Sequence, residues 1–529
     1  MFNRILPSVL AAAVLVTTNL FSAAANGQGL PFIDVPSAVA GGNGIIRMKG
    51  LPNQMYVLWF STVEELTQID NDIVLFIDPV RALENGLLLS GQFDETGNAS
   101  FTFPVGAEWE GGKISFQLVS FDNNGFGISN LARATFQKPN TFANAVGIPG
   151  LPSVMGDLFT TANGGILAVG GAGPIPESYT PWTQDTFPAG FNQPSYPLST
   201  RIQLADGKIL VMGGISATVT GGGGTPGIEV TMSNEAYLFI PNTGDFVATN
   251  GPMNLARAGA AGVRLTNGKV FIFGGLGSIN LAEPLSLLTG ILNSSEIYDP
   301  ATGMFTLGPS LVEGKALHTA TLLNNGQVLV AGGLALALGI PLISNSGYTY
   351  NPLTNSFGPL PKFFTGPRML HSATKLSDGN VILAGGISAD LSGVLQSGNL
   401  SEIVFGTVNT TTRWNPAAQF GTGGFAAGPN LLESRALHAA APVANATKVL
   451  VAGGISGNLD IAALLSGNLG TVKLPNMISS SEIISHSPNA SVAGPNLVTP
   501  RAGATGITIP MDGRILIFGG APGSELYQP

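Results

Sequence analysis

The chain of 529 residues contains no cysteine. A disulfide, a thiolate metal site, a thiol nucleophile and a cysteine-linked lipid anchor are therefore all excluded. Charged residues are also scarce, at 10% of the chain, and the formal net charge is −9. This acidic balance makes nucleic acid an unfavourable partner. Long apolar runs are missing as well, because no stretch after residue 25 is long enough to span a bilayer.

Glycine is the abundant residue, with 72 glycines beside 36 prolines, and apolar residues make up 44% of the chain. This composition is typical of many short, buried strands joined by glycine-rich turns. It excludes a coiled coil or a helical bundle. We therefore expect an all-β fold.

Residues 1–25 have the pattern of a secretory signal peptide. Arg4 supplies the positive charge, the apolar stretch runs from Ile5 to Val16, and Ala23, Ala24 and Ala25 offer a cleavage site of small residues. A membrane anchor is the weaker alternative, since polar residues from Thr17 onward interrupt the apolar run. We expect a mature chain that begins near Asn26 and is secreted, either to a periplasm or to the outside medium.

A short pattern recurs seven times through most of the chain: an apolar strand that ends in a glycine doublet. The first residues of the doublets are Gly170, Gly213, Gly274, Gly332, Gly385, Gly453 and Gly519. A hairpin turn such as Asn325-Gly326 or Asp378-Gly379 precedes most of the doublets, and two more strands follow each one. Each unit is thus predicted to be a four-stranded meander.

Units of this kind resemble kelch repeats, and the segment from Pro367 to Thr374 with Asp378-Gly379 is similar to the propeller of galactose oxidase. The resemblance implies a seven-bladed β-propeller over residues 138–529. A strand within 141–150 is expected to complete the last blade, which ends at Ser524 to Tyr527 without a fourth strand. Residues 26–137 lack the repeat and alternate like the strands of a small antiparallel β-sandwich.

When the units are aligned on their doublets, five of the seven carry a basic residue at the same position. This basic ring comprises Arg257, Lys315, Arg368, Arg435 and Arg501, and three residues later three units carry His318, His371 and His438. One interpretation is a binding site for an anionic ligand at a channel mouth. The alternative is structural: an acid also recurs, at Glu177, Glu235, Glu296, Glu402, Glu482 and Glu525, and a repeated base and a repeated acid usually pair.

The resemblance to galactose oxidase implies a copper site with tyrosine and histidine ligands and a cysteine cross-linked to tyrosine. Because the chain has no cysteine, this copper-radical activity is not carried over. Hydrolase, zinc-protease and phosphate-loop motifs are also missing. The sequence therefore predicts no catalytic residues, no metal site and no cofactor.

Four long apolar loops follow the doublets, at Ile279 to Leu292, Leu334 to Ile343, Ile387 to Leu400 and Ile455 to Pro475. They either pack on one another as a lid, form a partner surface or contact lipid. Trp182 and Trp414 are candidates for stacking on sugar rings or for the core of a blade.

Taken together, these features predict an exported kelch-repeat binding protein that recognises a surface glycan or an exported protein partner. The alternative is a sugar-modifying propeller enzyme such as a sialic-acid mutarotase.

Overall fold

The fold is described from a computed structural model. The structure describes the following residues: 31–38, 40, 42–61, 67–70, 73–75, 88–122, 125–129, 131–144, 156–161, 164–170, 176–180, 185–190, 196–220, 227–278, 290–337, 340–359, 361–390, 404–443, 445–459, 475–510 and 513–529. Contacts within the chain define two compact units, with a boundary between Pro139 and Asn140. The predicted signal peptide lies outside the described residues.

The first unit contains ten strands and one 3-10 turn, Ala107–Trp109. The strands are β1 (Phe32–Ala38), β2 (Asn43–Lys49), β3 (Met55–Ser61), β4 (Thr67–Asp70), β5 (Ile73–Leu75), β6 (Leu88–Gln92), β7 (Asn98–Pro104), β8 (Lys113–Asp122), β9 (Gly125–Ile128) and β10 (Ala132–Thr135). They form a sheet β1-β2-β7, a sheet β10-β8-β3-β6 with β9 beside β8, and a hairpin β4-β5. Buried side chains of both larger sheets, among them Ile46 and Leu58, share one apolar core.

The second unit contains seven antiparallel meanders, which we number repeat sheets 1 to 7. Sheets 1 to 3 comprise β12 (Asp157–Thr160), β13 (Ile166–Val169), β14 (Glu177–Thr180) and β15 (Asp185–Pro188); β16 (Thr200–Gln203), β17 (Ile209–Met212), β20 (Ala236–Ile240) and β21 (Asp245–Ala248); and β22 (Ala261–Arg264), β23 (Val270–Phe273), β24 (Ser294–Asp299) and β25 (Met304–Ser310).

Sheets 4 and 5 comprise β27 (Thr319–Leu322), β28 (Val328–Ala331), β31 (Ser346–Asn351) and β32 (Ser356–Phe357), with β33 (Lys362–Phe363) beside β31; and β34 (Ser372–Lys375), β35 (Val381–Ala384), β38 (Thr411–Asn415) and β39 (Gly424–Ala427). Sheets 6 and 7 comprise β40 (Ala439–Val443), β41 (Lys448–Ala452), β45 (Ser481–His486) and β46 (Asn489–Ala493); and β47 (Thr505–Thr508), β48 (Ile515–Phe518), β49 (Ser524–Gln528) and β11 (Thr141–Asn144).

The second strand of each repeat sheet is buried along almost its whole length, as in Val270–Phe273 and Val381–Ala384. Both faces of these strands are covered, so they are apolar throughout rather than alternating. Their side chains enter cores that consecutive sheets share. The last and first repeat sheets also share a core, in which Leu516 and Leu526 pack with Ile166 and Tyr179.

The final repeat sheet takes its outer strand from residues far earlier in the chain. Strand β11 pairs antiparallel with β49, Phe142 lying opposite Tyr527, and the two rings are 5.2 Å apart between centroids. The Tyr527 hydroxyl donates a hydrogen bond of 2.9 Å to Asn140 Oδ1. Residues 140–144 are thus joined to the end of the repeat by backbone and side-chain contacts.

Smaller sheets are built from the segments that follow the glycine doublets. They comprise β18 (Ile215–Thr220) with β19 (Gly227–Met232); β26 (Gly314–Ala316) with β29 (Leu334–Ala337) and β30 (Ile340–Ile343); β36 (Ile387–Asp390) with β37 (Val404–Thr407) and β43 (Asn458–Leu459); and β42 (Ile455–Ser456) with β44 (Asn476–Met477). A single short helix in this unit, α1 (Ala418–Gly421), precedes β39 within the described residues. Among those residues no helix has the length and apolar character needed to cross a membrane.

Candidate functional site

Three arginines of the basic ring form buried ion pairs inside their own sheets. Nη2 of Arg257 lies 2.8 Å from Glu296 Oε1. Arg435 pairs with Glu482 and Arg501 with Glu525, each at 2.9 Å. All three guanidinium groups are at most 1% exposed. Charges held this way are neutralised within the fold, because a buried ion needs a close counter-charge.

The same glutamates also hold the segment that enters each sheet. Glu482 accepts hydrogen bonds from the backbone N–H groups of Leu432 and Glu433, at 2.7 and 3.1 Å. Glu525 does the same for Val498 and Thr499. Each carboxylate therefore joins the entering loop to the arginine and to the third strand of the sheet.

In repeat sheet 4 the carboxylate comes from the loop instead of the strand. Lys315 Nζ lies 2.9 Å from Glu313 Oε1 and donates to the hydroxyls of Ser344 and Ser346. Both serine hydroxyls also donate to Glu313. Burial lowers the pKa of Lys315 to about 8, although Glu313 opposes the shift. A buried ion pair is thus kept with its acid moved from the strand to the loop.

Arg368 in repeat sheet 5 differs from the other four, because no carboxylate of the described residues pairs with it. Its Nη1 donates to the carbonyls of Gly385 and Thr410, and its Nη2 donates to the Thr410 and Thr412 hydroxyls and to the Thr365 carbonyl. The side chain is 0% exposed, and burial lowers its pKa to about 10.

The acid expected in repeat sheet 5 was assigned to the wrong strand. Glu402 lies outside the described residues, and the third strand of this sheet is β38, in which Thr412 lies opposite Leu383. In repeat sheet 3 the corresponding residue is Glu296, opposite Ile272. Glu402 was chosen because the strand itself carries no acid at this position, where Thr412 stands instead.

For the basic ring as a whole, these contacts favour structural pairing over ligand binding. Four of its five members have a carboxylate partner in their own unit, and all five are buried. The ligand-binding role of Arg257, Lys315, Arg368, Arg435 and Arg501 stays a prediction.

The three histidines lie between neighbouring sheets. His371 Nε2 shares a hydrogen bond of 3.1 Å with Thr319 Oγ1 of sheet 4, and His438 Nε2 shares one of 2.8 Å with Ser372 Oγ of sheet 5. His318 packs edge-on against Phe273 of sheet 3, with 5.5 Å between ring centroids. Neither ring nitrogen of His318 has a hydrogen-bond partner among the described residues.

These histidines explain part of the glycine doublet. A Cβ on Gly274, Gly332 or Gly385 would lie 2.7–3.1 Å from Cε1 of the histidine in the next sheet. All three glycines also have positive φ, from 58° to 67°. The first glycine of the doublet thus leaves room for the neighbouring ring as well as supplying the turn.

Burial keeps the histidines neutral. It lowers the pKa of His318 and of His438 to about 3, and the pKa of His371 lies well below its usual value for the same reason. Neutral rings can donate or accept a hydrogen bond but carry no charge for an anion.

The starts of the first strands enclose a cavity of about 300 Å³, to which all seven repeat sheets contribute. We call it the channel cavity. Its polar lining residues are Asp157, Ser199, Arg201, His318, His371, Ser372, His438 and Thr505. The predicted histidines are therefore part of it, whereas the five residues of the basic ring do not line it.

One ion pair lies in the channel cavity. Arg201 Nη1 is 2.9 Å from Asp157 Oδ2, and Arg201 Nη2 donates to Ser199 Oγ at 2.8 Å. Asp157, Ser199 and Arg201 were not predicted. Ser199 occupies the position of the histidines in its own unit, and Asp157 and Arg201 lie one and two residues after that position in theirs. An alignment of all seven units at that position, regardless of residue type, would have found these three residues.

The cavity rim is formed by residues with unusual backbone angles. Leu198, Leu317, Leu370 and Leu437 all have positive φ, between 53° and 59°, and glycines occupy the same position in sheets 3 and 7. These residues are linked across sheets by backbone hydrogen bonds, such as Leu317 N–H to Gly259 O at 2.9 Å. Left-handed backbone is costly for leucine, so the surrounding contacts must hold it there.

The apolar loops pack on one another and on this rim. Ile343, Met369, Ile387 and Ala436 form one buried cluster, with Leu317 and Leu370 packed against it. Trp414, a candidate for sugar stacking, is 1% exposed and packs in a core with Phe425. Trp182 and most of the loop residues 460–475 and 391–400 lie outside the described residues.

The residues present do not fit the copper-radical site of galactose oxidase. The sequence has no cysteine to cross-link, and the histidines of the channel cavity lie in different sheets with their rings between neighbours. In the described part of the chain no group of three histidine, aspartate or glutamate side chains is placed to hold a metal ion.

Comparison with known proteins identifies the fold. A kelch-like protein, terF, of Aspergillus terreus (strain NIH 2624 / FGSC A1156) is 30% identical over 183 residues, which cover 33% of this chain and 36% of that protein. The chain therefore matches about a third of the relative's length. No family model matches the sequence.

Two solved structures resemble the chain at 16% identity. A fungal alcohol oxidase of the AA5 family, solved with copper, has a TM-score of 0.51 and matches 73% of this chain and 75% of its own. The structure of YjhT has a TM-score of 0.47 and matches 66% of this chain and 99% of its own. The likeness to the oxidase structure and to the kelch-like relative shows that the chain contains an all-β, kelch-type β-propeller, as its glycine doublets predicted.

Proposed function

We propose that this chain is an exported kelch-repeat binding protein that recognises a surface glycan, with a sugar of the glycan held in the channel cavity. The observation that carries the proposal is the cavity itself. Its volume of about 300 Å³ is at the lower end of the range for small-molecule sites. Hydroxyl, imidazole and charged groups from several sheets converge on it, as a polyhydroxylated ligand requires.

The charges of the lining favour a neutral sugar over an acidic one. Arg201 is paired with Asp157, and the neutral histidines offer hydrogen bonds without charge. The hydroxyls of Ser199, Ser372 and Thr505, which also line the cavity, suit the hydroxyl groups of a sugar.

Binding is favoured over the alternative of a sugar-modifying enzyme such as a mutarotase. Such an enzyme needs a group whose pKa is close to the working pH, so that it can give and take a proton. The pKa values of His318 and His438 lie near 3, far from that range, and the Asp157 carboxylate is paired with Arg201.

The test is a glycan-array screen of the protein beside an Ala260→Phe variant. Ala260 lines the cavity, and the added ring removes no polar side chain. Because Ala260 also packs against the core of sheets 2 and 3, the melting temperature of the variant is measured to confirm that it folds. Ala427→Phe, on the exposed end of β39, is the matched control. We expect the wild type and the control to bind the same neutral glycans and Ala260→Phe to lose them. Binding that survives in Ala260→Phe would contradict the proposal.

An exported protein partner is the second candidate, and it rests on a repeated surface feature. Val312, Leu432 and Val498 occupy one phase of the loops that enter sheets 4, 6 and 7, and they are 82%, 65% and 55% exposed. The buried glutamates fix the backbone of Leu432 and Val498. Exposed apolar side chains on a fixed backbone suit a protein interface.

To test the second candidate, exported proteins displayed on cells would be screened with the wild type and with a Val312→Asp, Leu432→Asp double variant. A specific partner lost only with the double variant would support it. Glycan binding that needs the cavity, with no such partner, would contradict it.

A further inference from the structure

The cation position of the repeat sheets is a built carboxylate site. In sheets 3, 6 and 7 the arginine Nη2 contacts a glutamate from the third strand at 2.8–2.9 Å. Nη1 of the same arginine donates to the carbonyl of the first doublet glycine, at 2.7–2.9 Å. The guanidinium group is therefore held in one orientation, in which Nη1 faces the glycine carbonyl and Nη2 faces a carboxylate.

Repeat sheet 4 shows that the carboxylate can enter from the loop. The strand position opposite Val330, which corresponds to Glu296 opposite Ile272 in sheet 3, carries Tyr348 instead of glutamate. The acid is Glu313, two residues before Lys315. Its oxygens accept from Lys315 and from the hydroxyls of Ser344 and Ser346 at 2.6–2.9 Å. A cation beside two strand hydroxyls thus binds a carboxylate that arrives from outside the sheet.

Repeat sheet 5 has a cation at the same position, Arg368, with the hydroxyls of Thr410 and Thr412 beside it, but neither acid among the described residues. Thr410 corresponds to Ser346 of sheet 4, since the first doublet glycine donates to the carbonyl of each, and Thr412 corresponds to Tyr348. Arg368 Nη2 lies 2.8 Å from Thr410 Oγ1 and 3.3 Å from Thr412 Oγ1, and the position two residues before Arg368 is Gly366. A Cβ on Gly366 would lie 3.9 Å from Arg368 Nη2 and 3.6 Å from Thr410 Oγ1. The place where sheet 4 inserts its acid therefore has no side chain in sheet 5.

Among the described residues, the positive charge of Arg368 is covered by carbonyl and hydroxyl dipoles and by the Phe364 ring, whose centroid is 5.7 Å from the guanidinium carbon. One of these dipoles is the Thr365 carbonyl, 3.1 Å from Nη2. Thr365 is exposed and Gly366 has a φ of +76°, so this segment is a short turn between the guanidinium and solvent. If the Thr365–Gly366 peptide rotated, its carbonyl would leave Arg368 Nη2, and Nη2 would be free to donate to an incoming anion.

We propose that repeat sheet 5 binds the carboxylate of an external ligand, held by the Arg368 guanidinium and the hydroxyls of Thr410 and Thr412, in the way that a cation and two hydroxyls hold Glu313 in sheet 4. A buried, uncompensated cation gains most from a charge-assisted hydrogen bond to such a group. The ligand class is a small carboxylic acid, either free or as the acid group of a sugar. This site does not line the channel cavity and does not depend on the neutral-sugar proposal.

The experiment follows the melting temperature of the protein in sodium acetate and in sodium chloride at equal ionic strength and pH. A ligand that binds only the folded protein raises the melting temperature with its concentration. We expect acetate, but not chloride, to do so. Sodium glucuronate with glucose as its neutral counterpart then distinguishes a sugar acid from a free acid, since a larger effect of glucuronate than of acetate indicates the sugar.

Thr412→Glu is the decisive variant, because it supplies the strand acid found in sheets 3, 6 and 7. Thr412→Glu should weaken acetate binding at least about tenfold, and it should raise the melting temperature of the ligand-free protein. Thr412→Gln, of similar size and uncharged, should not raise that melting temperature. If Thr412→Glu does not fold, the wild-type comparison of acetate with chloride still decides.

Three results would overturn the proposal. One is an equal effect of acetate and chloride on the wild type, which is also expected if another residue of the chain, such as Glu402, fills the site. The second is an unchanged acetate response in folded Thr412→Glu. The third is an equal effect of glucose and glucuronate together with no effect of acetate.

Discussion

At the scale of single residues, the second unit depends on charges that are buried and paired. Arg435 and Glu482 are 0% and 2% exposed and lie 2.9 Å apart, and the carboxylate also fixes two backbone N–H groups of the entering loop. Three of the four carboxylate-paired sheets repeat this arrangement. Polar groups of this kind are costly to leave without partners, so each pair is needed once its sheet has formed.

Removing one partner of such a pair should destabilise the propeller strongly. For Glu296→Ala we expect a loss of about 3–5 kcal/mol in the free energy of unfolding, because Arg257 is left buried with no other carboxylate partner among the described residues. The measurement is urea unfolding monitored on the second unit. Lys208→Ala, which breaks the exposed pair with Asp206 at 2.8 Å, is the control and should cost about 1 kcal/mol or less. Equal losses in the two variants would refute this role.

The buried histidines should make the fold sensitive to acid. In the folded state the pKa values of His318 and His438 are about 3, below the value of about 6.5 for an exposed histidine. Between these values the unfolded chain binds more protons, so stability falls as pH falls below about 6.5. Each histidine contributes a slope of about 1.4 kcal/mol per pH unit.

A His318→Phe variant tests the slope. The phenyl ring keeps the contact with Phe273 and removes the titrating group. Unfolding free energies measured from about pH 7 to about pH 5 should decline less steeply in the variant, by close to one proton. Parallel lines for the variant and the wild type would show that His318 is not held neutral.

At the scale of elements, the glycine doublet defines the shape of each sheet start. A Cβ on Gly385 would lie 2.3 Å from the Arg435 carbonyl oxygen, whereas a Cβ on Gly207 would have no atom within 4 Å. Both glycines have positive φ, 58° and 85°. The two positions therefore separate the cost of the backbone angle from the cost of the contact.

Alanine substitutions at these two glycines measure that difference. Gly207→Ala should cost about 1 kcal/mol, from the backbone angle alone. Gly385→Ala should cost at least about 2 kcal/mol more, because the added methyl collides with the neighbouring sheet. Thermal and urea unfolding of the two variants provide the comparison. A cost for Gly385→Ala no larger than that for Gly207→Ala would contradict the close approach.

The elements also show what the sequence could predict. The doublets and the Asn-Gly and Asp-Gly turns are local signals, and they predicted the repeat and the all-β kelch-type fold. Pairing across a long loop is not local, so the third strand of repeat sheet 5 was placed at Glu402 rather than at Thr411–Asn415. The insertion of His371 and His438 between sheets depends on residues of a neighbouring unit, which no single repeat contains.

The candidate site was only partly predictable for the same reason. His318, His371 and His438 were found because they repeat, and they do line the channel cavity. Arg201 and Asp157 do not repeat, and their pairing becomes visible only when sheets 1 and 2 lie side by side.

At the scale of the whole molecule, the second unit is held together by contacts between distant parts of the chain. Strand β11 completes the sheet of β49, and the Phe142 ring packs on Tyr527 in a core that also contains Ile515 and Ile517. A repeat array gains stability from every interface between neighbours, so exposing one interface weakens the array as a whole.

Deleting residues 141–144 from the full chain should therefore lower the melting temperature of the propeller substantially. The deletion leaves β49 as an exposed edge strand and uncovers the Tyr527 ring. Phe142→Asp should show a smaller loss in the same direction, and Val247→Asp, on the exposed strand β21, should show little change. A deletion variant that melts with the wild type would contradict the role of this strand.

The most direct test of the proposed function is a crystal structure of the protein with the neutral sugar that it binds most tightly. We expect the sugar to lie in the channel cavity, with hydroxyl groups within hydrogen-bond distance of Ser199 and Ser372. A sugar bound only on the loops outside the cavity, or on the first unit, would contradict it.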